Sequence, residues 1–107
     1  EKQWMKNGET IKKLIDLLQI WPKLLSANID LDRIILTGHS FGGSAVTIAA
    51  GKGAKVLGLI LLDPAVVHKK LKNYMKNIKV PVMLLGADKK VFRSRKRGQY
   101  FKNIGSS

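Results

Sequence analysis

The sequence contains no cysteine. That excludes disulfide scaffolds, Cys-ligated zinc and thiol catalysis. Acidic residues are scarce: seven stand against twenty Lys and Arg, for a net charge of +13. There are only two histidines, and no cluster of His with carboxylates has ligand spacing, so no metal site and no cofactor is expected. Long apolar runs are missing as well. The longest, counting Gly58, is Val56 to Leu62, far short of the roughly 18 residues that cross a membrane as a helix. No basic n-region followed by an apolar h-region stands at the start. The chain opens on Glu1 rather than Met, so it is expected to derive from something longer.

What is present fits one small α/β domain over residues 1–107. Apolar residues make up 45% and charged residues 25%, a globular rather than a disordered balance. Ile11, Leu14, Ile15 and Leu18 recur at helical spacing, with Trp21 extending the stripe, and Pro22 ends or kinks that helix. Arg33 to Thr37 predicts a short strand with a turn at Gly38. A second helix is expected from Phe41, carrying Ala45, Val46, Ile48 and Ala49 and stopped by Gly51 and Gly53. Val56 to Leu62 is apolar on both pleat faces, as in a strand covered by helices on each side. Val67, Leu71, Tyr74, Met75 and Ile78 form the stripe of a Lys-rich amphipathic segment, and Val80 to Leu85 predicts a third strand with Pro81 near its start. Helices alternating with buried strands imply a parallel sheet of about three strands with right-handed crossovers. Ligands of such sheets bind beyond the carboxyl ends of the strands. Gly38 to Gly43, Asp63-Pro64 and Gly86 to Asp88 fall there.

Gly38-His39-Ser40-Phe41-Gly42 fits G-x-S-x-G, with a further glycine at Gly43. In this pattern a strand turns sharply into a helix and the corner residue takes a strained conformation. Flanking glycines are expected because side chains there would collide with the neighbouring strand and helix. The corner pushes the Ser40 hydroxyl out above the sheet edge. The positive end of the following helix points at the same spot, and the Phe41 N–H is placed to stabilise an oxyanion. An apolar strand before the motif and a helix of small residues after it supply the context the pattern needs. An ordinary glycine-rich strand–helix turn or a phosphate-binding loop is the plainer alternative, although no G-K-[ST] follows.

These residues resemble the α/β-hydrolase family. Ile29-Asp30, Asp32-Arg33-Ile34, Thr37 to Gly43 and Leu61-Leu62-Asp63-Pro64-Ala65 look like its platelet-activating-factor acetylhydrolase and dienelactone-hydrolase-like branch, over most of residues 10–90. The resemblance implies a partial α/β-hydrolase fold: the nucleophile strand and the next two strands, with their helices. It also implies hydrolysis of carboxylic esters, lipid acyl esters among them, through an acyl-enzyme on Ser40. Family order places an Asp or Glu and then a His after the serine. Asp63 is the favoured acid on the resemblance and Asp88 the second candidate; either could instead be a turn or cap residue. His39 lies on the opposite pleat face from Ser40 and reads as a packing or supporting residue. His68 reads as a solvated residue before the Lys-rich helix. The base and the second oxyanion donor are therefore expected outside this chain, and the 107 residues alone are expected to be inactive. A non-catalytic relative acting through protein contacts is the competing expectation.

The charge is uneven. Residues 1–53 carry seven basic and five acidic side chains, and residues 54–107 carry thirteen and two. Lys89 to Arg97 holds six cations in nine residues. Such a run attracts phosphate-rich partners, whether nucleic acid or an anionic membrane surface. No nucleic-acid motif accompanies it, so nucleic acid is not expected. A solvated lysine-rich surface is the plainer reading and the favoured one.

Overall fold

A computed structural model describes residues 3–25, 28–66, 69–87, 101–102 and 104–105. Helix α1 (Gln3–Ile20) is followed by a 3-10 turn (Pro22–Leu24), β1 (Ile35–His39), α2 (Phe41–Gly51), β2 (Gly58–Leu62), α3 (Leu71–Met75) and β3 (Val82–Leu85). The three strands form one parallel sheet in the order β1-β2-β3. The fold class is thus α/β, with a three-stranded parallel sheet and flanking helices.

The register fixes which residues share a face. Thr37, Ile60 and Met83 are partners across the sheet, as are Gly38, Leu61 and Leu84. Leu59 and Leu61 are buried, and Leu36, Val82 and Leu84 pack with them against Val46, Ile48, Leu71 and Met75 of the helices. The opposite face is open among the described residues: Ile35, His39, Leu62, Met83 and Leu85 are exposed. Among the described residues helices therefore cover one face of β2 rather than both, and the large side chains it buries are Leu59 and Leu61.

Helix α2 sits at the centre. Eight consecutive residues from Gly43 to Ala50 are buried. Their small side chains let the helix approach neighbours all round. Gly8 of α1 meets it there: a Cβ on Gly8 would lie 2.5 Å from Ile48 Cγ2. That crossing rotates α1 away from the expected stripe. Trp4, Gly8 and Ile15 are buried, with Ile11 and Leu18 half-buried, while Leu14 and Trp21 are 51% and 56% exposed. At the other end of α2, Gly51 approaches α3 so closely that a Cβ would lie 2.5 Å from the Tyr74 carbonyl oxygen. Gly53 follows at φ 92°, a turn conformation that favours glycine. Leu71, Met75 and Ile78 bury the expected apolar stripe of the Lys-rich segment; Val67 lies outside the described residues.

Candidate active site

Strand β1 ends two residues later than the sequence suggests. Gly38 is a strand residue and not a turn, paired with Leu61. The pairing even outlasts the strand, because the Ser40 N–H donates to the Leu62 carbonyl at 3.0 Å. The chain then enters α2 at once, so the whole reversal falls on Ser40. Its backbone lies at φ 52°, ψ −115°, a region open to glycine and costly, by about 1–3 kcal/mol, for any other residue. The surroundings hold it there. The Ser40 carbonyl accepts from the Gly43 N–H (3.1 Å) and the Ala65 N–H (2.9 Å), so both backbone groups of the corner are tied.

Two glycines make the corner possible. A Cβ on Gly38 would lie 2.4 Å from the Gly42 carbonyl oxygen, and one on Gly43 would lie 2.7 Å from Pro64 Cβ. Gly42 differs from expectation. A Cβ there would meet nothing within 4 Å, because it faces a cleft of about 380 Å³ lined also by Asn7, Thr10, Ile11 and Thr37. Close approach thus requires glycine at the first and last positions of the motif run, not in the middle.

The corner leaves three polar groups at the mouth of the helix. Ser40 occupies the N-cap position of α2, where a serine side chain ordinarily bonds the exposed amides. It makes no such bond. The hydroxyl has no partner among the described residues. The N–H groups of Phe41 and Gly42 likewise bond no acceptor among the described residues. They are first-turn donors that a helix leaves unsatisfied. Ser40 is half-buried, and its hydroxyl and the unbonded amides of Phe41 and Gly42 all belong to the N-terminal end of α2, where the helix dipole is positive. The Phe41 ring beside them is 44% exposed.

Asp63 stands in the equivalent place on the next strand. His39 and Leu62 are the last register partners of β1 and β2, so Ser40 and Asp63 are each one residue beyond adjacent strand ends. Asp63 too has a positive φ, 42°, and its N–H donates to the Leu85 carbonyl at 2.6 Å. The chain brings its two favoured candidates to one edge of the sheet, each on a constrained backbone. His39 does not pack as expected. It is exposed on the open sheet face, and its side chain bonds nothing among the described residues. His68, Asp88 and the run 89–97 lie outside the described residues. Among those described, no group of three His, Asp or Glu side chains is placed to hold a metal.

A further hydroxyl lies beside these residues. Ser44 is fully buried and donates its hydroxyl to the Ala65 carbonyl, in the segment that carries Asp63. In the sequence it stands out only as one of two hydroxyl residues, with Thr47, in a run of small and aliphatic ones.

The family model described as platelet-activating factor acetylhydrolase, isoform II, matches residues 3–106. No curated protein and no solved structure matches the chain.

Proposed function

Because the chain belongs to the platelet-activating factor acetylhydrolase isoform II family, a family of hydrolases acting on lipid esters, we propose that it supplies the nucleophile of a serine esterase. Ser40 Oγ attacks the ester carbonyl carbon as its proton passes to a base. The carbonyl oxygen becomes an oxyanion and accepts a hydrogen bond from the Phe41 N–H. Collapse expels the alcohol, which takes the proton from the base and leaves an acyl group on Ser40. Water then attacks that acyl carbon, the acid is released and Ser40 regains its proton. Asp63 holds the base in its productive orientation. His39, exposed on the open sheet face, does not serve as the base on this reading; with His68 read as a solvated residue, the base is proposed to come from outside residues 1–107. On this reading the 107 residues alone do not turn over ester.

The observation that supports the reading best is the backbone of Ser40, at φ 52° and ψ −115° in the N-cap position with its hydroxyl uncapped. A structural N-cap serine has no need of that strain. One oxyanion donor of the Phe41 kind contributes on the order of 10²–10³ in kcat. The test is labelling of the full-length protein with a fluorophosphonate probe, with Ser40→Ala as the comparison. Labelling of the native protein alone is the expected result, and equal labelling of both removes Ser40 from the mechanism.

The basic run 89–97 is proposed as a docking patch for an anionic membrane surface, which would bring a lipid esterase to its substrate. The concentration of positive charge in residues 54–107 supports it.

A further inference from the structure

Ser44 and Thr47 are the polar side chains fully buried in the core among the described residues. Their hydrogen bonds differ in kind. Thr47 Oγ1 donates to the Gly43 carbonyl at 2.6 Å, one turn back on its own helix, an ordinary way for a helical hydroxyl to satisfy itself. Ser44 Oγ instead donates across to the Ala65 carbonyl, 21 residues away. The same residue, Ala65, donates its N–H to the Ser40 carbonyl at 2.9 Å. Pro64 lies against Gly43, so near that a Cβ on that glycine would fall 2.7 Å from Pro64 Cβ. The segment 63–65 is thus fastened to the segment 40–44 through these three contacts, and the Ser44 side chain supplies one of their hydrogen bonds.

Asp63 heads that segment at φ 42°. A non-glycine residue stays in such a conformation only where its surroundings over-determine it. On one side the Asp63 N–H is held by the Leu85 carbonyl. On the other, Ala65 is held by Ser40 and Ser44. With the Ser44 hydroxyl removed, the Ala65 carbonyl loses this donor and the segment loses one of the hydrogen bonds that tie it to the elbow.

We infer that Ser44 is a positioning residue, which fixes the Asp63 carboxylate relative to Ser40 and thereby the base that Asp63 orients. The inference rests on the proposed roles of Ser40 and Asp63 and adds a residue to them. Ser44 touches no substrate and acts only through Asp63.

A double-mutant cycle in the full-length protein tests it, with p-nitrophenyl acetate as substrate and Ser40→Ala defining the background rate. Ser44→Ala is expected to lower kcat about tenfold with KM little changed, the size of loss that a small misplacement produces. Asp63→Asn is expected to lower kcat on the order of 10³–10⁴. The pair is expected to match Asp63→Asn alone, since a residue acting through the carboxylate has nothing left to position. A merely structural role lowers kcat by the same factor in both backgrounds, and that outcome overturns the inference. So does native kcat in Ser44→Ala beside an impaired Asp63→Asn, which leaves the roles of Ser40 and Asp63 standing. Native kcat in Asp63→Asn overturns the role of Asp63 itself, and the inference with it.

Discussion

At the scale of single residues, the site depends on where a side chain is forbidden and where one is forced. Gly38 and Gly43 are forbidden a Cβ by Gly42 and Pro64. Gly38→Ala is expected to destabilise the protein by more than about 2 kcal/mol, because backbone and not a flexible side chain blocks the new methyl. Gly42→Ala meets open space and is expected to stay within about 0.5–1 kcal/mol of the native protein, the ordinary range for glycine and alanine in a helix, or to gain slightly. Thermal melting of the two variants distinguishes these positions, and equal losses would contradict the close approach at Gly38. Ser40 is the forced residue. Its φ and ψ mirror those of an extended residue, which glycine adopts freely. Ser40→Gly is therefore expected to be more stable than Ser40→Ala by about 1 kcal/mol, while both lose fluorophosphonate labelling. Equal melting temperatures would mean that the corner holds no strain. The motif was legible in the sequence because glycine, serine and their spacing carry the geometry. The freedom of Gly42 was not, since a sequence records that a glycine is present and not which atoms approach it.

At the scale of elements, the contact between α1 and α2 decides which face of α1 is buried. Gly8 admits Ile48, and the buried stripe runs Trp4, Gly8, Ile11, Ile15, Leu18 at spacings of four and three. Gly8→Val is expected to cost about 1–3 kcal/mol by overpacking, and Ile48→Ala in the same chain is expected to recover part of that loss by making room. A double-mutant thermal melt measures it, and strictly additive losses would contradict the crossing. Apolar periodicity predicted this helix and its end before Pro22, yet it counted Leu14 and Trp21 as core. A glycine contributes nothing to a hydrophobic stripe, so the residue that sets the rotation was invisible to it. The strands show the same division. Their existence and parallel pairing followed from alternation with helices, whereas β1 was expected over 33–37 and stands at Ile35–His39. The hydrogen bonds to β2 run on through Gly38 and His39 to Ser40, which a composition rule that treats glycine as a turn does not foresee. Asp63 was selected by resemblance, and its placement beside Ser40 follows from the register of β1 on β2.

At the scale of the whole molecule, charge and chemistry divide along the chain. The corner that presents Ser40 lies in the nearly neutral first half, and the cations crowd residues 54–107. If the run 89–97 docks the protein on membrane, binding to phosphatidylserine vesicles should weaken steeply as salt rises. Neutralising Arg93, Arg95, Lys96 and Arg97 together should lower affinity well over tenfold at low ionic strength, at about 1 kcal/mol for each cation near the surface. A flat salt response, or unchanged binding by that variant, identifies the run as solvated surface. The proposed roles of Asp63 and Ser44 both depend on the Ser40 hydroxyl, which caps no amide of its own helix. Treating the full-length protein with a fluorophosphonate, digesting it and weighing the peptides tests that point most directly. The adduct mass is predicted on the peptide containing Ser40 and on no other; an adduct confined to another residue, or none in a protein that hydrolyses ester, would contradict it.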